Sequence, residues 1–204
     1  MTTHRSAAAA TTPAAAAPAL ADLAGLPVHG ISLEHSDTVA AEHWLASLSP
    51  APVLAFTHLV RMPRPHVALS LVFAGTTPDF AGTAPTDLGN APSGLGAAPM
   101  GLSSECAEAV AEHRARSSGR AVLYPGVELL VGTLSVAEVL ELSAIEKVEI
   151  LGGGPADPAT LIDTGDFVRP QWRSGVLTLI TTPAAGGRLV PFETRHPTPC
   201  CAAH

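Results

Sequence analysis

Apolar positions along the chain alternate between strand spacing and helix spacing, which predicts a mixed α+β fold with a mainly antiparallel sheet. Two nearly continuous apolar runs, 53–60 and 66–73, flank a proline-containing connection and predict a hairpin that is buried on both faces. Further strands are predicted at 27–34, 121–124, 127–131, 147–151, 160–164, 167–172, 176–182 and 189–192. Pro170 and Pro191 favour edge positions for the strands that contain them, because proline cannot donate to a ladder.

Helical spacing and end signals predict three short helices, at 38–48, 105–118 and 136–144. Ser36 and Asp37 precede the first helix and are good N-cap residues. Ser135 and Glu138 have the spacing of a capping box at the start of the third. Gly119 is expected to end the second helix in the left-handed conformation.

Composition divides the chain into a central domain and two tails. Residues 1–25 are rich in Ala, Pro and Thr and lack periodicity, which predicts a disordered tail. A single α+β domain is predicted over 26–195, with a long Gly/Pro-rich loop at 75–102. Residues 196–204 form an irregular tail that carries cysteine and histidine.

Charge and hydropathy disfavour two classes of partner. The chain has 11 Lys and Arg against 18 Asp and Glu, a net charge of −7, and Lys147 is its only lysine. No basic run could follow a phosphate backbone, so nucleic-acid binding is not expected. Because no apolar run is long enough to cross a bilayer, no membrane association is expected either. The residue usage is typical of a bacterial genome rich in G and C.

The cysteine pattern favours a reducing, cytoplasmic location. The chain has three cysteines, Cys106, Cys200 and Cys201. Their number is odd, and two are adjacent, so they do not form the disulfide framework of a secreted protein. Proteins of reducing compartments keep such thiols free.

The C-terminal tail is the first candidate site. It places four potential ligands of a soft metal ion within nine residues: His196, Cys200, Cys201 and His204. Thiolate and imidazole bind zinc and copper, so the tail predicts a zinc or copper site that orders when the metal or a protein partner arrives. The spacing is not that of a zinc finger, and an exposed tail without a ligand is the alternative interpretation.

The run Leu161-Ile-Asp-Thr-Gly165 resembles the catalytic loop of aspartic proteases. The resemblance implies that Asp163 would share a proton with a second aspartate, which a single copy can supply only in a homodimer. Asp166 stands where that family has a small residue, and the resemblance covers five residues. Asp-Thr-Gly is also ordinary turn chemistry, which is the interpretation we favour.

Three classes of function follow. The first is a small binding or accessory protein that captures a soft metal or a partner through its tail. The second is a small enzyme with His58, His66 or Asp163 as acid and base, in a pocket between the 52–73 hairpin and the 75–102 loop. The third is a structural protein or homo-oligomer in which an edge strand such as 167–172 pairs between subunits.

Overall fold

A computed structural model describes residues 20–62, 64–78 and 104–195, and these form a mixed α+β fold. The helices are α1 (Leu20–Leu23), α2 (Thr38–Ala46), α3 (Ser104–Ala115) and α4 (Val136–Leu142). The strands are β1 (Val28–His35), β2 (Leu54–Val60), β3 (His66–Val72), β4 (Arg120–Leu123), β5 (Gly132–Ser135), β6 (Lys147–Ile150), β7 (Gly154–Pro155), β8 (Leu161–Gly165), β9 (Gln171–Arg173), β10 (Val176–Pro183) and β11 (Leu189–Pro191). In the described part of the chain, every helix is too short or too polar to pass through a bilayer.

The strands join one mostly antiparallel sheet in the order β1-β3-β2-β4-β9-β10-β11-β8-β5. Strand β6 pairs with β10 in parallel and carries β7 beside it, and β11 pairs with β8 in parallel. The predicted hairpin is confirmed: β2 and β3 are antiparallel, and nearly all of their residues are buried. The pattern that predicted burial on both faces is explained by helices α3 and α2, which cover opposite faces of these strands.

The strand register assigns the two faces. Ser70 lies opposite both Gly30 and Phe56, and α3 packs on this face. A side chain at Gly30 would collide with the backbone of Cys106 in α3, so glycine permits the close approach. On the other face, Ile31 and Leu69 pack with Leu45 of α2 in a separate apolar cluster.

Helix α3 begins near its predicted position but ends differently. Cys106, Ala109 and His113 form its buried face. Its C-terminus is a Schellman motif, in which the Ser117 amide donates to the Glu112 carbonyl at 3.1 Å and the Arg116 amide donates to the His113 carbonyl at 3.0 Å. The left-handed residue of this motif is Arg116, with φ 50°, so the prediction of Gly119 for this role is wrong.

Several other predictions differ from the structure. Residues 127–129 form a 3-10 turn rather than a strand, because Gly126 at φ 82° redirects the chain, and the strand follows at 132–135. The segment 167–172 is not an edge strand, since β9 lies between β4 and β10. Likewise β11 is internal, and Pro191 is accommodated because β11 pairs with β8 only at Leu189. Leu20–Leu23, placed by composition in the disordered tail, form α1 with both leucines buried.

Candidate functional site

The predicted site residues lie in separate places. His196, Cys200, Cys201 and His204 fall outside the described residues, so the metal-binding tail stays a prediction. Asp163 is exposed on β8, and its carboxylate accepts from the Gly165 amide at 3.4 Å, which is the turn chemistry favoured above. His66 is held by Ser32 at 3.0 Å and by the Arg64 carbonyl at 2.9 Å. His58, in contrast, belongs to a larger buried network.

Four polar side chains form a continuous hydrogen-bonded chain between α3 and the sheet. Nδ1 of His58 lies 2.7 Å from Oε2 of Glu112, and Nε2 of His58 lies 2.8 Å from Oγ of Ser70. The same Ser70 oxygen lies 2.8 Å from Nδ1 of His113. Ser70 is 0% exposed, whereas the Glu112 side chain is 31% exposed. The chain therefore runs from a partly solvated carboxylate to a buried imidazole.

The hydrogen bonds of this network have one consistent direction. A carboxylate accepts, so Nδ1 of His58 carries the proton and Nε2 is left as an acceptor for the Ser70 hydroxyl. The Ser70 oxygen then accepts from Nδ1–H of His113. This assignment gives every bond one donor and one acceptor. It also leaves the lone pair of His113 on Nε2, for which the described residues offer no hydrogen bond.

Burial keeps both imidazoles neutral. Desolvation lowers the pKa of His58, and the adjacent carboxylate of Glu112 offsets only part of that effect. Desolvation, reinforced by His58, Arg116 and Arg114, lowers the pKa of His113 to about 4. Ser70 resembles the serine of a Ser-His-acid triad in its contacts. Its complete burial between two imidazoles excludes it from attack on a substrate.

His113 also lines a cavity of about 310 Å³ between α1, the end of α3 and the sheet. The apolar wall combines leucines of the N-terminal segment with residues of β1 and β2: Leu20, Leu23, Ala24, Leu26, Val28 and Leu54. The polar wall consists of His113, Arg114, Arg116 and Trp172. The cavity is thus apolar along one side and cationic along the other, within the size range of small-ligand sites.

Trp172 and the cationic side chain of Arg116 stack together at the edge of the polar wall, and this edge forms the rim of the cavity. Trp172 stacks on Phe56 with ring centres 5.4 Å apart, and the Arg116 guanidinium carbon lies 4.9 Å from the Trp172 ring centre. Trp172 is 4% exposed, and its indole nitrogen is buried without a hydrogen-bond partner in the described chain. A left-handed arginine and an unpaired buried N–H both have energetic costs, and both occur at this rim.

A second buried polar network lies on the opposite face of the sheet. Arg120 donates from Nε to the Glu193 carboxylate at 2.6 and 2.7 Å, and Arg169 donates from Nη2 to Glu42 at 2.6 Å. Nη1 of Arg120 also lies 2.7 Å from Glu42, although outside good hydrogen-bond geometry. Phe167 sits below the cations, 4.2 Å from the Arg169 guanidinium carbon. This network is ionic and closed on itself, so it has structural rather than ligand-binding character.

No group of three His, Cys, Asp or Glu side chains has metal-binding geometry within the described ranges. Comparison with protein families, with curated proteins and with solved structures finds no match to this chain. The function must therefore be argued from the site itself. Sequence reasoning singled out His58 but missed Ser70, Arg116 and Trp172, because their partners are 12 to 116 positions away along the chain. The placement of His113 on the same helix face as Cys106 was the available signal.

Proposed function

We propose that this protein binds a small amphipathic anion in the cavity between α1, α3 and β9. The observation that carries the proposal is the division of the cavity wall into an apolar side and a side with two arginines, Arg114 and Arg116. A ligand with an apolar body and an acidic head would match both. As in the sequence prediction, the protein is a small binding protein, but its proposed binding site lies in the domain rather than in the C-terminal tail.

The apolar side can take an aliphatic or aromatic body. Five of its six residues are Leu or Val, and none carries a polar side chain. Each methylene transferred from water to such a surface contributes about 0.8 kcal/mol. Medium-chain aliphatic anions therefore have enough apolar surface to bind, and their affinity should rise with chain length until the cavity is filled.

The cationic side can take the head group. Arg116 is held in place by stacking on Trp172 and by a 3.9 Å ion pair with Glu146. Glu146 is itself committed, because its other oxygen accepts from the Leu177 amide at 2.8 Å. Arg114 is exposed at the end of α3. A carboxylate or sulfonate could accept from both guanidinium groups.

Titration calorimetry with octanesulfonate and octanol tests the proposal. The two probes share an apolar body and differ in the head group. We expect octanesulfonate to bind about tenfold more tightly, since a hydrogen bond to a charged group contributes roughly 1.5 kcal/mol. Arg116→Gln should remove most of that difference. Arg61→Gln, an exposed charge change away from the cavity, is the matched control.

Three outcomes would refute this function. Equal affinity of the two probes would show that the rim does not recognise an anion. An equal loss in Arg61→Gln and Arg116→Gln would show that only the overall charge matters. Absence of binding by either probe would remove the cavity as a binding site for this class of ligand.

An acid–base enzyme is a second candidate, favoured by the orientation of His113 at the cavity. The enzyme prediction named His58, His66 or Asp163, but His58 is shielded behind Ser70, so His113 would be the base that a substrate meets. Exchange of an acidic C–H proton in a cavity-bound ketone, followed by proton NMR, tests this role. Loss of exchange in His113→Asn with binding retained would support it, and equal exchange in both proteins would refute it.

Metal binding by the C-terminal tail, residues 196–204, is a separate proposal. Zinc or copper binding through His196, Cys200, Cys201 and His204 predicts metal in the full chain and none in a chain ending at residue 199. Equal metal content in the two would remove it. The proposed cytoplasmic location rests on the cysteine pattern of the sequence, which has an odd number of cysteines and an adjacent pair.

A further inference from the structure

We propose that an anion in this cavity binds together with a proton, which His113 accepts on Nε2 while the Ser70–His58–Glu112 chain stabilises the new charge. The inference rests on the proposed binding function and adds the chemistry of its coupling. The proton comes from solvent and ends on the imidazole, so no other reactant is needed. In the free protein His113 would be neutral, and in the complex it would be an imidazolium.

The geometry of His113 leaves its Nε2 atom for a ligand. Its Nδ1 is committed to Ser70, and its ring lines the cavity, so the ring edge that remains for a ligand carries Nε2. A neutral Nε2 presents a lone pair, which would repel the oxygen of an anionic head group. Protonation converts this atom to a donor. Anion binding and protonation of Nε2 therefore favour one another.

The direction of the hydrogen-bonded chain also favours a positive charge on His113. Every donor points toward Glu112, so the Ser70 oxygen presents a lone pair to Nδ1–H of His113. A positive charge on His113 strengthens that bond, and the carboxylate at the far end attracts the charge through the chain. Ser70 and Glu112 are thus positioning residues for the proton that His113 binds.

The charged groups around His113 explain why the free site is neutral. His58 faces it from β2, Arg116 and Arg114 face it from the end of α3, and burial adds to their effect. Glu112 and Glu108 act on His58 from α3. Helix α1 carries one carboxylate, Asp22, which is exposed and is not among the residues that line the cavity. A bound anion would neutralise the two arginines and supply that counter-charge.

Calorimetry of octanesulfonate binding in two buffers of different ionisation enthalpy counts the protons taken up. The sulfonate stays ionised throughout, so any proton binds to the protein. The pKa of His113 is lowered to about 4 in the free protein. If pairing raises it by about two units, we expect more than half a proton per ligand at about pH 5.5 and about tenfold tighter binding at pH 5 than at pH 7.5.

Substitutions identify the residue that takes up the proton. His113→Asn should abolish the uptake, and Glu112→Gln should reduce it without changing the residues that line the cavity. Glu141→Gln, which changes an exposed carboxylate on α4, is the matched control and should leave uptake unchanged. Because Glu112 is partly exposed, its variant remains informative if His113→Asn does not fold.

The possible results separate the two proposals. Octanesulfonate binding without proton uptake would overturn the coupling and leave the binding function standing. Uptake that persists in His113→Asn, or that falls equally in the Glu141 and Glu112 variants, would also overturn it. Failure of the sulfonate to bind wild type would overturn both.

Discussion

The two buried polar networks lie on opposite faces of the sheet and differ in the charge state of their buried groups. On the α3 face, Glu112, His58, Ser70 and His113 form a chain whose two imidazoles are neutral. On the α2 face, Glu42, Arg120, Arg169 and Glu193 remain charged. Neighbouring residues of β4 connect the faces, since Ala121 lies opposite Phe56 and Arg120 lies opposite Thr57.

The difference comes from the partners available to each group. Burial alone would raise the pKa of Glu42, but hydrogen bonds and charge from Arg169 and Arg120 hold it below its ordinary value. Burial alone would lower the pKa of Arg120, but Glu193 and Glu42 raise it. At His113, burial lowers the pKa, and His58, Arg116 and Arg114 reinforce that effect. The charges of the ionic face are paired with one another, whereas we propose that the neutral face can accept an anion and a proton.

The largest expected effect comes from breaking the ionic network. Glu42→Gln leaves Arg169 and part of Arg120 buried without their carboxylate, which should lower the free energy of unfolding by about 3 kcal/mol in urea denaturation. Glu34→Gln is the control, because its pair with Arg64 is more than 60% exposed on both sides and contributes little. Similar losses in the two variants would show that the α2 face is no more tightly coupled than the surface.

Acidification should remove the stabilising contributions of the two networks over different pH ranges. A histidine whose folded pKa is lowered binds fewer protons than the unfolded chain, so stability falls as pH falls from about 6.5 toward 4. For His113 alone, this loss is about 2.5 kcal/mol between pH 7.5 and 4.5. His58 and His35 add to the same trend, because burial lowers both pKa values. The Glu42 network keeps its contribution over this range and loses it only as pH falls through the lowered pKa of that carboxyl.

Comparison of wild type with His113→Phe isolates the histidine in this experiment. The phenyl ring keeps the edge-to-face contact with Phe56, whose ring centre lies 5.0 Å from that of His113. We expect the variant to be less stable at neutral pH and to lose less stability on acidification. Parallel pH profiles for the two proteins would show that His113 is not neutral in the native state.

Removal of the central hydroxyl should have a smaller effect on stability. Ser70→Ala leaves Nε2 of His58 and Nδ1 of His113 without a partner, which should lower the free energy of unfolding by about 2 kcal/mol. Ser117→Ala removes only a long, exposed bond at 3.4 Å and should be nearly neutral. If Ser70→Ala were neutral too, the buried chain would not be the connected network described above.

Sequence patterns predicted the scaffold better than the site. Local signals located the hairpin of β2 and β3, the Asp37 cap of α2 and the capping box of Ser135 and Glu138, because each depends on residues close along the chain. The end of α3 was mispredicted, because glycine is the usual left-handed residue and Arg116 adopts that conformation instead.

The site depends on contacts that no local pattern contains. His58 and Glu112 are 54 positions apart, and Ser70 and His113 are 43 apart. The sheet order, which brings β9 between β4 and β10, places Trp172 beside Phe56. The edge positions predicted from Pro170 and Pro191 were wrong: Pro170 lies just before β9, and Pro191 pairs with Thr181 of β10 but has no register partner in β8. The predicted tail site lies beyond the described residues.

Nitrogen NMR of the histidine rings at about pH 5.5 tests the central claim most directly, because it reports both the tautomer and the charge of each imidazole. In the free protein we predict a neutral His113 ring with its proton on Nδ1. Saturating octanesulfonate should convert His113 to the imidazolium form, and octanol should not. A His113 ring that is charged before ligand binds, carries its proton on Nε2, or stays neutral with the sulfonate bound would contradict the claim.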